Sequence, residues 1–299
     1  MQSEPHIEYE SLGDPTHPAI VLVMGLGMQL IAWPDSFCRA LVARGYRVVR
    51  FDNRDAGLSG RVPGKKSGKL ALAMAAAALG LPVRTPYTLD DMAGDTVHLM
   101  DDLGIARAHI VGASMGGMIA QVLAAKWPQR VASLTSIMST SGNRKLSRPT
   151  PAAGKSLLAK PADPKDPEVV IEHLVGVFGV IGIPGFPTPR EEVRRRVARA
   201  VRRAYDPAGT TRQLLAVIAA GDRRKQLRRI TAPTLVIHGA QDPLVPLAAG
   251  RDTAAHIPGA RLEVIEGMGH DFPEALMPRL AALVADHCDS CQSRGAVAP

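Results

Sequence analysis

The sequence predicts an α/β protein: a mostly parallel central sheet flanked by helices, with a helical cap inserted into it. Three observations carry that expectation. Short apolar runs alternate with amphipathic, helix-length segments over residues 1–139 and again over 230–299, as strand–helix units of a parallel sheet do. Between them, residues 140–229 have Pro and Gly punctuation, basic helices and no convincing strand. The pentapeptide Gly112-Ala113-Ser114-Met115-Gly116 falls on a junction between strand and helix, where a sharp turn lifts a serine hydroxyl clear of the backbone. The expected division is therefore a core of 1–139 and 230–299 and a cap (lid) of 140–229.

Taken in order, Met1–Pro18 is polar and reads as a leader. Ala19–Met24 is an unbroken apolar run, as expected of a strand covered on both faces. Phe37–Arg44 reads as a helix ended by Gly45, and Tyr46–Phe51 as the next strand. A loop with Arg54, Gly57 and Gly60 follows. An insertion between Gly57 and Thr88 holds Lys65, Lys66 and Lys69 and an Ala/Leu/Met run, Leu70–Leu81. Thr88–Leu103 has helical periodicity, with Thr88 as cap and Asp90 and Asp91 in the first turn. His109–Val111 ends the strand before the pentapeptide, and Gly117–Ala125 continues as helix. Val131–Met138 is a strand. Alternation resumes with the strand Thr234–His238, a helix from Leu247 to His256, the strand Arg261–Ile265 and a last helix Phe272–His287. Cys288–Pro299 reads as a disordered tail.

Composition narrows the class. With no basic, apolar leader and no run long enough to span a bilayer, the chain reads as cytoplasmic, with no integral membrane segment. Cys38, Cys288 and Cys291 are an odd count, which does not suggest a disulfide framework. Cys288-Asp289-Ser290-Cys291 lacks a second pair, so no metal is expected. The net charge of +8 sits in one segment: residues 141–230 hold 19 Lys/Arg against 8 Asp/Glu. In Arg190–Tyr205, Val193, Val197, Val201 and Tyr205 form one apolar stripe on an otherwise basic helix. No recognition motif or aromatic interleaving accompanies the charge, so nucleic acid is not the expected partner.

Serine is a weak nucleophile and needs a base, which needs an orienting acid. In open α/β sheets such groups sit beyond the C-terminal ends of the strands. Asp242 lies directly past the strand 234–238, and His270 lies in the glycine-rich loop past 261–265. The order Ser114, Asp242, His270 is that of an α/β hydrolase, not of either protease order. The other histidines lie in the leader, in strands or on helices. An acid after Val131–Met138 is missing, because Ser139–Asn143 contains none. Gly112 and Gly116 stand where a Cβ would crowd the elbow. The oxyanion needs backbone donors: Met115 supplies one, and Leu26, in the loop Met24–Gln29, the other.

The loop Gly25-Leu26-Gly27 with Asp52 after the next strand supports a rival reading, a dinucleotide-dependent oxidoreductase. The third glycine would fall at Leu30, so that fingerprint is incomplete.

The chain resembles the α/β-hydrolase superfamily and, within it, aclacinomycin methylesterase-like bacterial carboxylesterases. The residues that carry this are Leu22–Gly25, Trp33–Phe37, Phe51-Asp52-Asn53-Arg54-Asp55-Ala56-Gly57-Leu58-Ser59, the elbow Val111–Gly117, and Pro258–Ala260 with Gly267–His270. The resemblance implies the α/β-hydrolase fold and cofactor-free ester hydrolysis through an acyl-enzyme. A C–C bond hydrolase or a cofactor-free perhydrolase could use the same groups. The run 70–81, as a helix packed on the cap or a wall over Ser114, and Val177–Ile183 in the cap suggest a small-molecule ester with an apolar acyl or alcohol part.

Overall fold

The computed structural model describes residues 5–62, 70–182 and 185–295, with side chains to 292. Lys65, Lys66, Lys69 and Ile183 lie outside the described residues.

The strands are β1 (Tyr9–Leu12), β2 (Ala19–Val23), β3 (Arg47–Phe51), β4 (Ala108–Ala113), β5 (Val131–Ile137), β6 (Thr234–Gly239) and β7 (Arg261–Ile265). They form one sheet in the order β1-β3-β2-β4-β5-β6-β7. All neighbours run parallel except β1, which pairs antiparallel with β3 from Tyr9 opposite Phe51 to Leu12 opposite Val48. The helices are α1 (Asp35–Ala43), α2 (Leu70–Ala78), α3 (Leu89–Asp102), α4 (Met115–Lys126), α5 (Pro151–Leu158), α6 (Pro167–Ile181), α7 (Arg190–Arg203), α8 (Pro207–Ala220), α9 (Arg224–Leu227), α10 (Leu247–His256) and α11 (Met277–Gly295).

The apolar strands are buried on both faces because successive side chains alternate between two helical layers. Val21 and Val23 of β2 join the layer of α3 and α4, with Met92, Met100 and Ile119. Ile20 and Leu22 join the opposite layer of α1 and α11, with Phe37, Leu41 and Leu280. Between β5 and β6, α6 and α7 share a small apolar core of Ile171, Val175, Val193, Val197 and Ala198. Val193 and Val197 of the expected stripe are thus buried, while Tyr205 is partly exposed beyond the end of α7. Thr88 caps α3 as expected, its hydroxyl accepting from Asp91 N–H while the Asp91 carboxylate accepts from Thr88 N–H. No described helix is long and apolar enough to cross a membrane.

Chain order and space order diverge at β2. The chain leaves β2 for β3 on one side, while β4 lies on the other. The direction of travel across the sheet thus switches between β2 and β4, and the C-terminal ends of such a strand pair are the usual place for a ligand in open parallel sheets.

Three expectations need correction. The leader contains a strand, β1, at the sheet edge. Four residues with only one half-buried face leave little periodicity to read. The tail is not disordered from Cys288: α11 runs to Gly295, and Cys288 is fully buried. The stripe Met277, Leu280, Ala281, Val284, Ala285 continues one more turn to Cys288, and Tyr46 Oη donates to Asp289. The last helix also starts later than Phe272, since Glu274–Leu276 is a 3-10 turn and Pro278 stands in the first turn of α11.

The run 70–81 contains α2, which packs on α8 through Ala73 and Ala77. Its larger side chains, Leu72, Met74, Leu79 and Leu81, face solvent.

Candidate active site

Ser114 sits between β4 and α4 with φ +53° and ψ −120°, a left-handed conformation uncommon for a side-chain-bearing residue. The turn survives because its neighbours lack side chains. A Cβ on Gly112 would stand 2.2 Å from Gly116 O, and one on Gly116 would stand 2.0 Å from Val23 O. Ser114 N–H donates to Ile137 O at 2.9 Å, and Ser139 Oγ donates to Ser114 O at 2.7 Å. The Ser114 backbone is thus fixed on both sides, by the Ile137 carbonyl and the Ser139 hydroxyl, at the start of a twelve-residue, mostly buried helix.

His270 Nε2 lies 2.9 Å from Ser114 Oγ, and His270 Nδ1 lies 2.7 Å from Asp242 Oδ2. The second carboxylate oxygen, Asp242 Oδ1, accepts Leu244 N–H at 2.9 Å and Val245 N–H at 2.8 Å. An ionised carboxylate only accepts, so the proton belongs on His270 Nδ1 and the Nε2 lone pair faces the serine hydroxyl. Such a chain can draw a proton from Ser114 and stabilise the imidazolium that results. His270 N–H donates to Ile181 O at the end of α6, at 3.0 Å. The loops bearing the acid and the histidine touch, since a Cβ on Gly239 would stand 2.2 Å from Met268 O.

A second histidine borders the acid. His238 is fully buried, with Nε2 2.7 Å from Val245 O and 3.8 Å from Asp242 Oδ2. Burial lowers its pKa, which favours a neutral ring donating to the Val245 carbonyl.

The loop after β2 passes beside Ser114: a Cβ on Gly25 would stand 3.1 Å from Ser114 Cβ. Gly27 N–H donates to Gln213 Oε1 at 2.7 Å, so that amide is committed elsewhere. Leu26 sits between these two glycines, and Met115 N–H opens α4, where a helix leaves its first amides without intrahelical partners.

Sequence reasoning missed the polar cluster behind this loop. Asp52, fully buried, accepts Leu30 N–H at 2.6 Å, Leu58 N–H at 2.8 Å and Arg203 Nη1 at 2.7 Å. It has no free face for a ribose, which the dinucleotide reading needs. Gly57 has φ +53°, and a Cβ there would stand 1.9 Å from Asp52 Oδ2. Asn53 Nδ2 donates to Met24 O at 2.8 Å. Asp55 pairs with Arg212 through two bonds of 2.7 and 2.8 Å; burial pushes its pKa up, but Arg212, Val62 N–H and the Tyr87 hydroxyl together bring it below the ordinary carboxylate value. The stretch Asp52–Gly57 is therefore a hub joining the sheet to α7 and α8. The signal was available in α8, where Gln213 shares a face with the small residues Gly209 and Ala216.

A cavity of about 330 Å³ lies between α6, α7 and the loop before His270. Val175, Phe178, Phe186 and Val193 line it, and Thr188, Arg190 and Asp271 add polar groups near Gly269. Ser114 does not line it. Among the described residues no cluster of His, Cys, Asp or Glu could hold a metal ion.

The sequence profile of the alpha/beta hydrolase fold matches residues 18–170 and 187–274. Rhodomycin D methylesterase DnrP of Streptomyces peucetius is 30% identical over 297 residues, covering 93% of each chain. A 3-oxoadipate enol-lactonase of Acinetobacter baylyi is 26% identical over 260 residues, covering 87% of this chain and 85% of its own. Among solved structures, a meta-cleavage product hydrolase from Pseudomonas fluorescens superposes with a TM-score of 0.74 at 19% identity, covering 95% of this chain and 94% of its own.

Proposed function

The chain belongs to the alpha/beta hydrolase fold family, and from that premise we propose that it is a serine carboxylesterase using Ser114, His270 and Asp242. The observation that carries the proposal is the position of the imidazole, 2.9 Å from the serine hydroxyl and 2.7 Å from a carboxylate. Ser114 Oγ attacks the ester carbonyl while His270 Nε2 takes its proton. His270 returns that proton to the leaving alkoxide, releasing the alcohol and leaving an acyl-Ser114. Water then attacks the acyl carbon with His270 as base, and the carboxylic acid leaves. Leu26 and Met115 N–H groups hold the oxyanion in both steps. Gly112 and Gly116 permit the elbow. No cofactor enters these steps.

Residues 140–229 act as a cap over the core, with the cavity beside Gly269 receiving an apolar acyl or alcohol part. Its Val175, Phe178, Phe186 and Val193 lining supports that choice. Methyl esters are the first class to try, because a relative at 30% identity is named a methylesterase.

The test is hydrolysis of methyl and p-nitrophenyl esters of graded acyl length by the wild type and Ser114→Ala. Turnover rising with acyl chain length, and abolished by the substitution, is expected. A vinylogous diketone or peroxide outpacing every ester would replace the proposal with C–C hydrolysis or perhydrolysis.

A further inference from the structure

Met28 N–H donates to Gly25 O at 3.2 Å, closing a four-residue turn, and Gly27 occupies its third position with φ +66°. That is glycine's place in a type II turn. Such a turn leaves the third residue's N–H without an internal partner. Here Gln213 Oε1 accepts it, while Gln213 Nε2 donates to Arg54 O at 2.8 Å. Gln213 is fully buried, so neither bond can be exchanged for bulk water. The contact is tight: a Cβ on Gly27 would stand 2.8 Å from Thr210 Oγ1, one turn back on α8. The next residues are held from α7. Gln29 Nε2 donates to Ala200 O at 2.7 Å and Ala204 O at 2.8 Å, and Arg203 Nη1 donates to Gln29 Oε1 at 2.7 Å.

Leu26 thus lies between two fixed points, Gly25 against Ser114 and Gly27 against α8. The Gly27 N–H belongs to the peptide plane one Cα away from the plane that carries Leu26 N–H. Fixing the first restricts rotation of the second. We propose that Gln213 is a positioning residue for ester hydrolysis: from α8 it locks the Gly25–Met28 turn and so aims Leu26 N–H at the oxyanion. The inference rests on the carboxylesterase reading. A leucine at 213 leaves a buried donor, Gly27 N–H, and a buried acceptor, Arg54 O, unmatched. The turn then rotates to find partners, and a donor displaced by about 1 Å costs catalysis up to roughly a hundredfold.

The experiment compares the wild type, Gln213→Leu, Gln213→Glu and Ser114→Ala on the best p-nitrophenyl ester. Glutamate keeps an acceptor for Gly27 N–H, and leucine keeps none. A kcat about 10- to 100-fold lower in Q213L, with KM within about threefold and partial recovery in Q213E, is expected. A boronic acid, whose tetrahedral adduct needs the oxyanion donors, should weaken in the same order. A near-wild-type kcat in Q213L, or a loss carried by KM, overturns the inference. If Q213L does not fold, Gln213→Met, which keeps the length of the side chain but offers neither the oxygen acceptor nor the amide donor, decides: boronate affinity and kcat both unchanged from wild type overturn the inference, and both lowered uphold it. Failure of the esterase reading looks different, since Ser114→Ala would then match the wild type before any Gln213 variant is considered.

Discussion

The carbonyl oxygen of Val23 lies 2.0 Å from the point a Cβ on Gly116 would occupy. The elbow helix therefore presses directly on the end of β2, and two backbones meet with no side chain between them. Gly116→Ala must push β2 and α4 apart and should cost more than about 4 kcal/mol, with loss of activity. Gly104 has φ +67° but open space around it. Gly104→Ala should cost only about 1–2 kcal/mol, the left-handed penalty alone. Denaturant unfolding of both variants checks the contrast.

Asp242 spends one oxygen on two backbone amides and the other on His270. In Asp242→Asn the amide oxygen stays with Leu244 and Val245 N–H, which turns the NH₂ toward His270 Nδ1. That nitrogen must then accept, so the proton moves to Nε2 and the base facing Ser114 is lost. kcat should fall by about 10⁴-fold with the fold intact. Steady-state kinetics beside a circular dichroism spectrum would test it.

His109 is buried, with Nδ1 2.8 Å from Ser133 Oγ and Nε2 3.3 Å from Gln292 Nε2. Burial, reinforced by His287 and Arg107, lowers its pKa to about 4. Between that value and the ordinary value near about 6.5, the unfolded chain binds a proton that the folded chain does not. Stability contributed by the neutral ring is thus present above about pH 6.5 and is lost as pH falls toward about 4. Burial lowers His238 and His287 in the same direction. Replacing His109 by Asn should shrink the stability difference between about pH 7 and pH 4.5 by about 2 kcal/mol. Unfolding curves at the two pH values measure it.

Removing residues 288–299 should lower Tm by about 5 °C or more, because Cys288 extends the buried face of α11 and Tyr46 loses Asp289. A tail that contributes nothing to the fold would leave Tm unchanged.

The parallel sheet was readable because strands buried on both faces are apolar throughout, as in Ala19–Val23. Ser114, Asp242 and His270 could be picked out because each lies past the C-terminal end of a strand, directly after β4 for Ser114 and within a short loop after β6 and β7 for the other two. What escaped lacked an apolar pattern in the residues themselves. β1 exposes Tyr9 and half-buries Glu10, so its four residues do not alternate apolar with polar. Cys288 was separated from its stripe by the polar residues around it, Asp286, His287 and Asp289. The Asp52–Gly57 stretch stood out by resemblance, yet its partners Arg203, Arg212 and Gln213 lie some 150 residues away in sequence. Only folding brings that charge and amide cluster behind the Gly25–Met28 turn.

The central claim is that Ser114 carries the acyl group. The most direct measurement is labelling of the wild type with an alkyl fluorophosphonate, located by peptide mass spectrometry, alongside ester turnover. One phosphonyl group on Ser114, with labelling abolished and kcat lowered by about 10⁴-fold or more in Ser114→Ala, is the expected result. Undiminished ester hydrolysis by Ser114→Ala, or a label on another residue that tracks the loss of activity, would contradict it.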